Sequence, residues 1–328
     1  MSDLPVVAGG YAKVNLDNPA VKKAVASTFQ LAYHPYWDMM PNSHATESGN
    51  LIALNAQQRA NIGAGKDDQI VMSDAHGVED ARGPIMMQAS TGKWYFGTLL
   101  KVDDVTDLAY VKVNGLAKGV LPEVEFADKD STQPGDLVFS TGHERQSATI
   151  SVNGGTYEGL TTKSLQVQRL DAIYRQLTPD NPSNFYQTTT NAIKGLANPA
   201  DRRDAIQDFT RPLLETHLNN QPGNSGGCLF NLEGKCIGAG EAVEADKDLG
   251  TRGHDTYIPL SDILAFTNSP QKFNMMYGIG TYKVDGSAPQ QVPYLMGLRR
   301  MSGERRLPFN ADDLLSHPER LQAAKPSE

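Results

Sequence analysis

Gln221-Pro222-Gly223-Asn224-Ser225-Gly226-Gly227-Cys228-Leu229-Phe230-Asn231 is the stretch on which the reading of this 328-residue chain turns. A serine hydroxyl is a weak nucleophile until a turn exposes it and backbone N–H groups face the charge that develops on its target. Gly-x-Ser-Gly-Gly suits such a turn. Glycines on both sides reach dihedrals closed to other residues and let a substrate approach without meeting a β-carbon. In that conformation the amides of Gly223 and Ser225 converge as an oxyanion hole, with Ser225 as nucleophile. Taken alone, the pentapeptide is equally a Gly/Ser loop between strands.

Two segments upstream supply what a serine nucleophile needs. Ile70-Val71-Met72-Ser73-Asp74-Ala75-His76-Gly77-Val78 is an apolar strand running into a turn that presents one histidine. Asp107-Leu108-Ala109-Tyr110-Val111-Lys112-Val113 places a carboxylate at the mouth of an alternating strand. Six other histidines (His34, His44, His143, His217, His254 and His317) lack that context, and Asp103 and Asp104 do not open such a strand. The order His, Asp, Ser along the chain belongs to two-barrel serine peptidases, whose triad bridges the cleft between barrels.

The chain resembles the chymotrypsin-like (trypsin-like) serine peptidases, in motif style the bacterial branch that includes the Deg/HtrA proteases. The branch's D-L-A-x-x-K-[VI] and G-N-S-G-G-x-L-x-N are matched almost residue for residue at Asp107 and Ser225. Its V-x-T-x-x-H-V-V is matched with Ser73 for threonine and Gly77 after the histidine, and Ser48 to Leu54 resembles a first-barrel strand. The likeness runs from about Thr46 to Phe266.

The resemblance implies an all-β fold of two six-stranded antiparallel barrels. It also implies a serine endopeptidase in which Ser225 attacks, His76 is general base and acid, Asp107 orients the imidazole, and Gly223 and Ser225 form the oxyanion hole. Asn219, Ala239, Asp255 and Tyr257 would line the substrate pocket, with the Asp255 carboxylate either meeting an incoming Lys or Arg or facing water in a turn. Asn224 stands where many animal members keep the aspartate that pairs with a newly cut N-terminus, so activation of that kind is not expected. Bacterial relatives are mostly exported, which implies a secreted or periplasmic protein, although Met1 to Val7 carry no signal-peptide pattern.

Composition agrees. Thirty basic against 38 acidic residues give a formal charge of −8, which argues against a nucleic-acid partner. Hydrophobic residues at 39% suffice for a sizeable core, and no apolar run is long enough to span a bilayer, so no membrane contact is expected. No His-Glu-x-x-His, paired Cys-x-x-Cys or phosphate-binding glycine loop occurs; neither metal nor cofactor is expected, and the partner is a peptide or protein substrate. The sequence carries no signal for oligomeric state.

Residues 1–45 read as an extension with a helix at 18–31, 46–120 as the first barrel, 121–134 as a linker and 135–268 as the second barrel. The second barrel carries a partly helical insertion at 171–217, and 269–328 form a C-terminal extension too short for a PDZ domain. Strands are expected at Leu51–Leu54 and Leu165–Arg169 among others, and Arg299-Arg300 and Arg305-Arg306 as a solvated tail or strap. A two-residue hairpin turn at Glu233-Gly234 would send Cys228 and Cys236 to opposite sheet faces, which argues against a disulfide. Two alternatives stand beside the peptidase: a two-barrel scaffold whose triad is occluded, and an α/β-hydrolase-type esterase, whose triad order and aliphatic strand before the serine are missing here.

Overall fold

A computed structural model describes residues 3–35, 45–78, 81–128, 132–177, 184–243, 254–271, 273–283 and 288–300. His44, His317, Arg305 and Arg306 lie outside the described residues. In chain order the elements begin with β1 (Val6–Gly10), α1 (Pro19–Ala26), β2 (Thr28–Pro35), β3 (Ala45–Leu51), α2 (Ala56–Asn61), β4 (Gln69–Ser73) and the single turn α3 (Ala75–Val78). β5 (Ala81–Ala89), β6 (Trp94–Asp103), β7 (Leu108–Asn114), β8 (Leu137–Gly142) and β9 (Ile150–Thr161) follow. Then come α4 (Lys163–Leu177), α5 (Phe185–Gly195), α6 (Pro199–Thr210), β10 (Leu213–His217), β11 (Cys228–Phe230), β12 (Cys236–Val243), β13 (Asp255–Pro259), α7 (Leu260–Asn268), β14 (Phe273–Tyr282) and β15 (Gln290–Arg300).

The first sheet runs β14-β15-β5-β2-β3-β4-β7-β6, and a further β5–β6 pairing closes β2 to β7 into a six-stranded barrel. The second runs β1-β9-β10-β13-β12-β11-β8, closed by β9–β8. Both expected barrels are therefore present. β14 and β15, in the expected C-terminal extension, continue the first sheet beyond β5, and β1 adds a parallel strand to β9. The linker follows both barrels: Ala53 N–H donates to Val124 O, and Cys236 N–H donates to Glu125 O.

Two-residue periodicity explains how the barrels meet. On β4 every residue is buried; Val71 packs inside the first barrel while Ile70 and Met72 join a second cluster with Cys228, Phe230 and Ile258 of the other barrel. β7 divides likewise, Ala109, Val111 and Val113 inward, Leu108 and Tyr110 toward the seam. Leu229, Ile237 and Tyr257 fill the second barrel. The strands that carry the candidate site are thus its dividing wall.

Three local expectations change. The first helix ends at Ala26, where the Ser27 and Thr28 hydroxyls both donate to Ala24 O; Phe29, read as its next apolar position, is fully buried on β2. Leu165–Arg169 is helix, because Thr162 caps it, its hydroxyl accepting from Leu165 N–H at 3.1 Å. A bulge between Leu229 and Phe230 pairs Phe230 with Cys236, so the two thiols lie on one face with sulfurs 2.9 Å apart, as free cysteines.

The helices α4, α5 and α6 belong to a separate compact unit that begins at Leu160 and runs to Leu213. Within it Asp171 accepts from the Phe185 and Tyr186 amides at 2.9 Å each, and Lys163 pairs with Asp208 at 2.8 Å.

Candidate active site

β4 ends at Ser73, and Asp74 caps the turn that follows, its Oδ1 accepting from Gly77 N–H at 2.7 Å. His76 sits on that turn with its side chain 25% exposed, enough for a substrate to reach it. Asp107, just ahead of β7, holds both the turn and the ring. Its Oδ1 accepts from the Ala75 and His76 amides at 3.1 and 2.9 Å, and its Oδ2 lies 2.8 Å from His76 Nδ1. A proton on Nδ1 facing the carboxylate leaves Nε2 as the basic nitrogen. Asp107 adopts a left-handed φ of 53°, a strained conformation kept by these three bonds.

Burial pulls the His76 pKa down, but the charges of Asp107, Asp74 and Glu47 outweigh it and hold the imidazole well above its ordinary value. Asp74, wholly buried, is pushed up to about 6, by burial first and by the Asp107 charge as well, against the pull of His76.

Ser225 comes to this turn through Ser48 of β3. Ser48 N–H donates to Ser225 O at 2.8 Å, and its hydroxyl donates to Gly223 O at 2.6 Å while accepting from His143 N–H at 2.8 Å. Gly226 has φ 78°, and a β-carbon there would stand 2.4 Å from both Ser48 O and Ser73 Oγ and 2.7 Å from Asp74 N. The serine turn therefore sits directly on the chain that leads to His76, which only glycine allows. Neither the Gly223 nor the Ser225 amide donates a hydrogen bond among the described residues, so both stay available to an oxyanion. Among the described residues no hydrogen bond joins the Ser225 hydroxyl to His76.

Asn220 orders the loop. Its Oδ1 accepts from Ser140 Oγ, Asn153 Nδ2 and Asn224 Nδ2 at 2.9, 2.8 and 2.8 Å, and its Nδ2 donates to Tyr257 OH. Asn224 is thereby held without the ion pair of the animal enzymes, and Val6–Gly10 forms the exposed strand β1. From the other side Arg145 N–H donates to Pro222 O at 2.7 Å and Glu144 accepts from Gln221 N–H at 3.1 Å.

Beside Ser225 lies a shallow recess with room for about one water, lined by Asn220, Asn224, Gly240, Glu241, Thr256 and Tyr257. Of the expected pocket residues only Tyr257 lines it. Ala239 is fully buried in the wall between barrels, and Asn219 turns the chain at φ 62°. Asp255 has another task. It is buried, and its Oδ2 accepts from the Leu218 and Asn220 amides at 3.2 Å each; burial, against those bonds, pushes its pKa up to about 6. It meets neither water nor an open pocket, because the 218–220 turn folds over it. Glu241 borders the recess as the extra residue of a bulge between Gly240 and Ala242, with its side chain buried.

Known proteins similar to this chain give its family and its fold. A family model described as "Trypsin-like peptidase domain" matches residues 62–238. The chain is 26% identical over 189 residues to the Marinomonas protein named "Probable periplasmic serine endoprotease DegP-like", covering 57% of this chain and 30% of that one. It is 22% identical over 172 residues to Serine protease HTRA1 of Xenopus tropicalis, covering 52% and 28%. It spans about a third of the length of the curated relatives it matches. Among solved structures, the active form of the Rv3671c protease of M. tuberculosis superposes with a TM-score of 0.52 at 16% identity, over 81% of this chain and 89% of that one. The HtrA-type protease AlgW with a tripeptide gives 0.52 at 18%, over 83% and 70%. The family's fold, its motifs and the Asp107–His76 pair coincide in one chain, which belongs to the trypsin-like peptidase family.

Proposed function

We propose that the protein is a serine endopeptidase acting on peptides or proteins. His76 Nε2 takes the Ser225 proton as the hydroxyl attacks the scissile carbonyl. Asp107 keeps the ring in the working tautomer, and the Gly223 and Ser225 amides stabilise the oxyanion. His76 then returns the proton to the leaving amine, and water releases the acyl group from Ser225.

The observation that carries this reading is that one carboxylate, Asp107, grips both the imidazole and the two amides of the turn bearing it. Relatives named as periplasmic endoproteases support exported surroundings, and no described helix is long and apolar enough to cross a membrane.

Fluorophosphonate labelling mapped by mass spectrometry tests the proposal. Ser225 takes the label, and Ser225→Ala does not. A latent scaffold is the second reading, favoured by the missing Ser225–His76 bond; absent labelling of the folded protein would support it.

A further inference from the structure

The His76 turn gathers two further carboxylates, Glu47 and Asp74, beside its imidazole. Glu47 on β3, Asp74 at the head of α3 and His76 each offer one ligand atom, and all three lie within 4.8 Å of one another. Asp74 is completely buried, and while its Oδ1 caps Gly77, its Oδ2 has no hydrogen-bond partner. A carboxylate oxygen sealed from water without a donor is an unfavourable arrangement that a cation would relieve.

Gly77 makes the cluster possible. A β-carbon there would stand 2.4 Å from Glu47 Cγ and 2.5 Å from Asp74 Oδ1, so any side chain at this position expels Glu47 from the turn. The residue is not among the positive-φ glycines, so the backbone does not require glycine; the space does. The resembling pattern has valine after the histidine, and this chain departs from it where Glu47 enters.

We propose that Glu47, Asp74 and His76 bind a zinc-like divalent cation that reversibly arrests hydrolysis. One imidazole and two carboxylates, with a position left for water, are a donor set that zinc accepts, and the imidazole selects it over calcium or magnesium. Bonds of about 2 Å require the ligand atoms to close to roughly 3.3 Å, a movement within reach of the flexible Glu47 side chain. The partly exposed His76 gives the ion access.

A neutral imidazole has one N–H and one lone pair. A cation that takes the lone pair at Nε2 blocks the base directly. Binding at Nδ1 displaces the bond to Asp107 and moves the proton to Nε2. In both cases nothing remains to accept the Ser225 proton. Glu47 comes from another strand than the turn that carries Asp74 and His76, so no linear motif announces the set.

The arrest rests on His76 being the general base, so binding and inhibition are measured separately. Zinc is titrated calorimetrically into the full-length Ser225→Ala protein alone and with Glu47→Gln added. Hydrolysis of a peptide by the wild type and by Glu47→Gln is then followed against zinc, with EDTA to reverse it. The expected result is one site per chain, weakened about tenfold or more by Glu47→Gln, with an equal weakening of inhibition when each protein is referred to its own metal-free rate.

Binding weakened by Glu47→Gln in a chain that hydrolyses nothing upholds the site and sinks the peptidase reading. No binding at millimolar zinc, or binding and inhibition indifferent to Glu47→Gln, overturns the proposal. Glu47 is only partly buried and glutamine is isosteric, so folding is not at stake; equal fluorophosphonate labelling of the two proteins confirms it.

Discussion

Asp107 does more than orient a ring, because it also anchors the Ala75 and His76 amides. Asp107→Asn can supply one acceptor where three bonds are now made. Turnover is expected to fall by about 10⁴, the loss this family's triad shows, and thermal melting should show lowered stability as well. Raised His76 basicity gives the activity a direction in pH. The base works only when unprotonated, so kcat/KM should rise with pH through a value above the ordinary histidine range of about 6.5. An acid limb at or below that range in a pH–rate profile contradicts the arrangement.

His143 behaves oppositely. Burial lowers its pKa to about 4, against a bond to Ser147 O that raises it, and its Nε2 is sealed in. The unfolded chain then takes up the proton first on acidification, so stability falls as pH drops from about 6.5 toward 4. The loss is on the order of 3 kcal/mol, visible in urea unfolding and absent in His143→Gln. At this scale the His76–Asp107 pair was legible because each member lies inside a contiguous motif. Asp255 was not, since its partners are main-chain amides that no residue pattern displays.

At the scale of elements, bulges separate what the sequence displays from what the fold does. Strict alternation put the two cysteines on opposite faces, and one extra residue in the β11–β12 pairing brought their sulfurs together. Both thiols are fully buried, and burial holds Cys228 well above its usual pKa. Neither should react with iodoacetamide in the native protein, and both should in urea; mass spectrometry reads the difference. The β4 and β7 strands were legible from their apolar runs. The α4 helix was misread because Leu165 and Val167 mimic a strand while the cap at Thr162 decides otherwise.

For the molecule as a whole, the seam between barrels is both core and foundation. Phe139 and Phe230 stack there with centroids 5.1 Å apart, both buried, two strand residues away from the serine turn. Phe230→Ala should cost about 3–5 kcal/mol in denaturant unfolding. The two-barrel plan followed from motif order. That the last described strands return to the first sheet did not, because β14 alternates with much of its surface exposed and resembles a loose tail. Ser48 ties the plan together. Its amide, hydroxyl and carbonyl engage Ser225, Gly223, His143 and Ser73, residues drawn from both barrels. The machine therefore has no working half: chains cut in the linker and expressed as separate fragments would recover chemistry only on reassembly, since the electrophile's cradle is finished by the neighbour that carries the base.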